Sequence, residues 1–565
     1  MSRKNKAKYP DTIFGELGKR NVRSRYQLNR ILGIHHFDRV QCNYQADSVK
    51  LTIEASHNSQ LAVKAMRLLY STDDWASSRL IDFSKTSQSW DTLSWTWLHA
   101  WQARLSLPQG SLLRYYVYAE LADGSKLFAD NQAKSQTLAT QFARWLNPKN
   151  STPDWAKEAR IYQIFVDRFN PGVGREWMQS ENLLKPFGGT IRGVIEKIDS
   201  IRELGFNTIW LTPIFLSASH HGYDIIDYTQ IDPKFGTEAD LEELIEALHQ
   251  RGMYLLLDFV ANHCSDKHPA FQAALASANE AQKGWFNWRK WPGNYECFYG
   301  VPTMPVFNLR FGAPARQHLL DAAQKWLKMG IDGYRLDYAN GPSRDFWVDF
   351  QRDCLEINPN AWTFGEVVAP AEEQTQLAGS MHGTLDFLTC QALRESFATR
   401  NWNASRLAAY LQAAQTAWPS GFSRPAFIDN HDMNRLFFTA EEDPEALKAA
   451  LSLLYLLPQA PIVYYGTEFG LSQRASIHAE GSTGFDEARL QMPGENPPHP
   501  EIAEHLRTLA DFRMQNPWLI EASWQVLKVS EAGNLAKMSV SDDEHRLIVE
   551  IETKDRVNLS FSPEN

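Results

Sequence analysis

Five times in this chain a short, mostly apolar run leads to an acid. The runs are Tyr254-Leu255-Leu256-Leu257-Asp258, Gly333-Tyr334-Arg335-Leu336-Asp337, Trp362-Thr363-Phe364-Gly365-Glu366, Ala426-Phe427-Ile428-Asp429-Asn430-His431-Asp432 and Pro461-Ile462-Val463-Tyr464-Tyr465-Gly466-Thr467-Glu468. Runs this short read as buried strands rather than helices. The second climbs out of a helix end at Met329-Gly330. Helical spacing falls between the runs, as in residues 238–249, where Leu241, Leu244, Ile245 and Leu248 keep the i, i+3, i+4, i+7 pattern.

Adding runs at 161–165, 208–211 and 384–387 gives eight strand-then-helix units, the others being 254–257, 333–336, 363–365, 426–428 and 462–464. The expected fold class is α/β, a (β/α)8 TIM barrel over residues 157–516. Such a barrel keeps its chemistry at the C-terminal tips of its strands, where these acids fall. Arg335 stands two residues before Asp337, so on a strand both side chains point to one face and the cation favours the ionised acid, as a nucleophile requires. Glu366 follows Phe364-Gly365 with no cation in its own run, and is expected to hold a proton near neutrality. Two carboxyl groups on adjacent strand tips are what acetal cleavage needs.

As a set, D258-F-V-A-N-H263, G333-Y-R-L-D337, G365-E366 and F427-I-D-N-H-D432 resemble the four ordered signature regions of the α-amylase family of glycoside hydrolases. Weaker accessory regions appear as Gly205-Phe206-Asn207-Thr208-Ile209-Trp210-Leu211-Thr212-Pro213, Met304-Pro305-Val306-Phe307-Asn308 and Gly466-Thr467-Glu468. The resemblance implies Asp337 as nucleophile, Glu366 as acid/base and Asp432 as a clamp on sugar hydroxyls. It also implies His263 and His431 as hydrogen-bonding partners of the sugar, Tyr223 as the aromatic under its ring, and Asp258 as the residue that orients Arg335, itself counted with the substrate-binding groups. The implied reaction is retaining hydrolysis of α-1,4 bonds, extending to α-1,6, in malto-oligosaccharides, cyclodextrins or pullulan, as in the neopullulanase and cyclomaltodextrinase group. A 4-α-glucanotransferase using the same residues is one alternative, and a non-catalytic amylase-like scaffold is another.

The chain departs from many α-amylases after Asp337, where Asn340 and Gly341 stand in place of a Lys-His pair that holds the sugar beyond the cut. No cofactor is expected. Calcium is the metal that the resemblance offers, through Asn262, while the loop Asp167-Arg168-Phe169-Asn170-Pro171-Gly172 lacks the string of Asp and Asn that binds calcium in some relatives.

Outside the barrel, residues 1–30 read as a polar, basic leader and residues 31–134 as an N-terminal β-sandwich, from alternating runs such as Val49-Lys50-Leu51-Thr52-Ile53-Glu54. A linker with one helix is expected at 135–156, an aromatic insertion after the third strand at 264–311, and a short C-terminal β domain at 517–565. Trp75, Trp90, Trp95, Trp97 and Trp101 suggest either a glucan-stacking platform or, favoured, inter-domain packing or a homodimer contact. A net charge of −10 gives no basic footprint for nucleic acid. The longest apolar stretch, 450–465, is broken by Pro458 and Pro461 and is too short to span a membrane. Five cysteines without close spacing indicate no disulfide framework, so a cytoplasmic protein acting on α-glucan oligosaccharides is the expectation.

Overall fold

The computed structural model describes residues 34–563 except 37–39, 93–94, 131–138, 148–149, 179, 277–278, 495 and 555; the expected leader lies outside the described residues. Eight parallel strands form the central sheet: Ile161–Ile164, Thr208–Leu211, Tyr254–Phe259, Gly333–Leu336, Trp362–Gly365, Gly383–Thr384, Ala426–Phe427 and Pro461–Tyr464. Their ladder runs sixth, fifth, fourth, third, second, first, eighth, seventh. Gly383 pairs with Ser423, and Asp386 N–H donates to Pro425 C=O at 3.0 Å, which closes the remaining gap. The sixth strand is shorter than expected, because Phe387 begins the helix Phe387–Leu393.

Apart from half-buried Tyr254 at the start of the third, the strand residues are buried, as a sheet covered on both faces requires. Helix α1 (Glu238–His249) starts on a Thr237/Asp240 capping box and buries Leu241, Leu244, Ile245 and Leu248, the four residues its spacing selects. Helix α2 (Pro314–Met329) ends at Gly330 with φ 116°, a left-handed position that suits glycine. Three residues on, a Cβ at Gly333 would overlap the Trp362 carbonyl oxygen. That glycine lets the fourth and fifth strands approach, and these strands carry Asp337 and Glu366.

Two five-stranded antiparallel sheets form the N-terminal sandwich. Phe142–Trp145, assigned above to the linker, pairs with Leu112–Leu121 and belongs to the second sheet, and among the described residues the linker's helix is Asp154–Lys157. The tryptophans divide. Trp75 donates through Nε1 to Gln141, and Trp101 packs on the sandwich core. Trp90, Trp95 and Trp97 form an exposed, edge-on cluster on the hairpin Ser84–Asp91/Thr96–Pro108. Residues 264–311 hold the helix Pro269–Ala276 and the hairpin Trp288–Lys290/Asn294–Tyr295, and the C-terminal part is a four-stranded antiparallel sheet, Ser523–Val529 to Asn558–Pro563. No helix among the described residues is long and apolar enough to cross a membrane.

A buried ion cluster joins sandwich to barrel. Arg114, from the sandwich, reaches Asp349 on helix α3 (Arg344–Ile357), and Arg316 of α2 reaches Asp345 at 2.9 Å and Asp349 at 2.6 Å. Removing a carboxylate shared by two buried guanidiniums leaves both undercompensated. Asp349→Ala should therefore lower stability by about 3–5 kcal/mol in urea denaturation of the full chain, well beyond the ±0.5 of a surface change.

Candidate active site

The strand register brings the charged groups together. Asp258 on the third strand is the Cα partner of Arg335 on the fourth, and Leu336 is the partner of Gly365 on the fifth. Asp337 N–H donates to Phe259 C=O at 3.0 Å and Glu366 N–H to Leu336 C=O at 2.8 Å, so both acids continue the ladder at the strand tips. Arg335 Nη1 donates to Asp258 Oδ1 and Oδ2 at 2.8 and 2.9 Å and to Asp337 Oδ1 at 2.9 Å. Its Nη2 lies 2.9 Å from Glu366 Oε2, which also accepts the Tyr338 N–H at 3.1 Å.

The expectation that Glu366 lacks a cation is therefore corrected: the guanidinium assigned to Asp337 touches both acids, because adjacent strands in register place them on either side of it. Its two contacts differ in kind. The Nη1–Asp337 contact is an aligned hydrogen bond, whereas Nη2 faces Glu366 without hydrogen-bond alignment. The geometry favours charge on Asp337 and leaves Glu366 Oε1 to carry a proton.

Asp432 is held from the other side. Arg489 Nη2 donates to its Oδ1 at 2.8 Å, and His431 Nε2 lies 2.9 Å from its Oδ2. Gln163 Nε2, on the first strand, donates to His431 Nδ1 at 2.8 Å, which leaves Nε2 as the protonated nitrogen. The Tyr223 ring lies parallel to the His431 ring at 5.3 Å, and its hydroxyl donates to Asp258 Oδ2 at 3.0 Å. His263 stacks on Phe298 of the insertion at 4.2 Å. Glu468 stands apart: it accepts the Tyr162 hydroxyl at 2.5 Å.

Four carboxyl groups, those of Asp258, Asp337, Glu366 and Asp432, face two guanidiniums. Burial pushes Asp337 up to about 7 and Glu366 and Asp258 up to about 6, with Arg335 opposing each rise. The higher value on Asp337 runs against the hydrogen-bond geometry; the two acids titrate together, and the aligned Arg335 bond favours the charge on Asp337. Burial also acts on Asp432, but His431, Arg489 and Arg335 together hold it well below the usual carboxylate range. Burial lowers His431 itself and keeps its ring neutral at pH 7, so the cations that hold Asp432 ionised there are Arg489, in direct contact, and Arg335.

Sequence reasoning did not single out Gln163 or Arg489. Gln163 is legible in retrospect as a polar residue inside the buried run Ile161–Ile164. Arg489 sits in an irregular loop with no periodicity to mark it.

Asn262, the residue matched to a calcium ligand, is buried with its Oδ1 packed where a Cβ on Gly341 would stand. Calcium takes six to eight oxygens, carboxylates among them. Among the described residues no group of three His, Cys, Asp or Glu is placed to hold a metal.

A family model described as "Alpha amylase, catalytic domain" matches residues 163–519. Alpha-amylase 2 of Dictyoglomus thermophilum is 36% identical over 374 residues, 66% of this chain and 66% of that protein. Neopullulanase 2 of Thermoactinomyces vulgaris is 35% identical over 344 residues, 57% of this chain and 58% of that protein. The chain thus spans less than two thirds of these relatives' length, 66% of the first and 58% of the second. Among solved structures, a cyclic alpha-maltosyl-(1→6)-maltose hydrolase from Arthrobacter globiformis superposes with a TM-score of 0.65 at 28% identity, over 71% of this chain and 92% of that one.

The loop after Asp337 has its own steric demand. A Cβ on Gly341 would overlap Asn262 Oδ1 and come within 2.7 Å of the Tyr338 ring, whereas Asn340 is exposed. Gly341→Ala should cost about 1–3 kcal/mol in urea denaturation through overpacking, and Gly341→His more, while Asn340→Lys should stay within about 0.5 kcal/mol of the parent.

Proposed function

The chain belongs to the α-amylase family, and from that premise we propose that it is a retaining glycoside hydrolase. Its substrates are α-1,4-linked glucose oligomers and cyclodextrins, with α-1,6 bonds within reach. The observation that carries this reading is the single Arg335 guanidinium in contact with both Asp337 and Glu366. Two carboxyl groups that share one guanidinium favour the short separation of retaining enzymes, about 5–5.5 Å.

In the first step Glu366 gives its proton to the leaving oxygen while Asp337 attacks the anomeric carbon, forming a glycosyl-enzyme. In the second, Glu366 as carboxylate takes a proton from water, which attacks the same carbon and frees Asp337. Asp432, kept ionised by Arg489, accepts hydrogen bonds from sugar hydroxyls. Neutral His263 and His431 add donors, and Tyr223 supplies a flat face for the ring. A transferase reading gains support from one feature: exposed Tyr299 lies 5.5 Å from Tyr338, whose N–H holds Glu366, so an aromatic surface for an acceptor sugar stands beside the base.

Asp337→Asn and Glu366→Gln should each lower kcat by several orders of magnitude with the fold intact, and the first product seen by NMR should keep the α configuration. An inverted product overturns the double displacement. The pH profile of kcat/KM should be a bell: activity is lost on the acid side as Asp337 protonates and on the alkaline side as Glu366 deprotonates. Because burial raises both groups, toward about 7 and about 6, the alkaline loss should begin near neutrality, and the steps belong to the pair.

Missing Lys and His groups at Asn340-Gly341 leave fewer fixed donors for the leaving sugar, so an extended chain has less binding energy to spend on the transition state. Comparison of kcat/KM on soluble starch, β-cyclodextrin and maltotriose should favour the short or cyclic substrates, and Asn340→Lys should narrow the difference. Equal or better efficiency on starch overturns this preference.

A further inference from the structure

Arg114 belongs to the N-terminal sandwich yet ends inside the barrel wall. Its side chain is 3% exposed, its Nη2 donates to both oxygens of Asp349 at 3.0 and 3.2 Å, and its guanidinium lies 4.4 Å over Phe311, at the insertion's exit. Two residues earlier on α3, and buried, stands Trp347, tied to Asp349 through the helix backbone. Trp347 Nε1 donates to Ala339 C=O at 2.7 Å, and Ala339 N–H donates to the main-chain oxygen of Glu366 at 2.9 Å. Between Asp337 and Ala339 lies Tyr338 at φ 41°, a backbone state a tyrosine adopts only when its surroundings impose it. That strained turn is what aims the Tyr338 N–H at Glu366 Oε2. A second strap runs alongside: Gln351 of α3 donates to Asn150, in the segment joining the sandwich to the barrel, and accepts the hydroxyl of Thr363, on the strand that leads to Glu366.

We propose that the N-terminal sandwich positions the acid/base of its own chain, with Arg114 acting through α3 and Trp347 on the Tyr338-Ala339 turn that orients Glu366. The inference rests on the reading of Glu366 as acid/base. It makes the sandwich part of the catalytic apparatus in cis. The line from Arg114 to Glu366 runs through the Asp349 ion pair, the backbone of α3, the Trp347 indole and the Tyr338-Ala339 turn, and coupling along such a line is a measurable energy rather than a matter of proximity. Arg114 touches no reacting atom and is a positioning residue. Asp349 keeps Arg316 at 2.6 Å when Arg114 is changed, so its charge stays paired.

The test uses the full chain with maltotriose as substrate. Since small displacements of a catalytic group are costly, Arg114→Met should lower kcat about tenfold and change KM by less than about twofold. The alkaline limb of the kcat/KM pH profile should move by about half a pH unit, because the environment of Glu366 changes. A residue that merely holds two domains together would lower the melting temperature and leave that limb in place. Trp347→Phe should give the same signature, and the double variant should fall no further than the stronger single one. If Trp347→Phe fails to fold, the Arg114→Met profile decides alone. Arg67→Met, which disturbs pairs to Asp82 and Glu120 within the sandwich, is the control and should match the parent. A parental kcat and pH limb in Arg114→Met, or additive losses in the double variant, overturn the proposal. A Glu366→Gln variant that keeps full activity would instead sink the assignment of Glu366, which separates the two failures.

Discussion

The site depends on how one guanidinium is shared. Arg335 is fully buried and touches Asp258, Asp337 and Glu366, acids supplied by the third, fourth and fifth barrel strands. Buried carboxyl groups this close repel one another at a cost that a low-dielectric interior magnifies, and breaking a buried ion pair by removing one partner costs about 3–5 kcal/mol. Asp258 meets Nη1 with both of its oxygens, Asp337 shares that nitrogen, and Glu366 faces Nη2. The backbone serves the same end, since Gly333 allows the fourth and fifth strands to close.

Around that cation the site has two differently wired ends. Asp432 is surrounded by donors from Arg489 and His431, with Gln163 setting the imidazole tautomer, and is kept charged. Glu366 receives a backbone N–H and a poorly aligned guanidinium, and keeps an oxygen for a proton. Four buried carboxyl groups against two fixed cations are costly to ionise together, and the aligned Arg335 bond to Asp337 favours the charge there over Glu366. The positive φ at Tyr338 aims its N–H at Glu366, and the proposed support from Arg114 and Asp349 would extend this arrangement well outside the strand tips.

The strands, the helix Glu238–His249 and the residues at the strand tips were legible because periodicity and same-face spacing are local properties of a sequence. What escaped was non-local. The cation beside Glu366 is thirty-one positions away in the chain and arrives through strand register. Arg489 reaches Asp432 from an aperiodic loop. Phe142–Trp145 is a four-residue edge strand whose partner, Leu112–Leu121, lies across a long connection, so it reads as linker. Glu468 ends a run like the others but turns to Tyr162, since the strand stops at Tyr464 and a 3-10 turn at Thr467–Phe469 redirects it.

The central claim is that Asp337 is the ionised partner that bonds to sugar while Glu366 handles the proton. The most direct measurement is mass spectrometry of the Glu366→Gln protein after incubation with α-maltosyl fluoride, a substrate whose leaving group needs no acid. With the general base removed, a glycosyl adduct should accumulate, and peptide mapping should place it on Asp337. An adduct on another residue, or fluoride release with no adduct and an inverted product, would contradict the account.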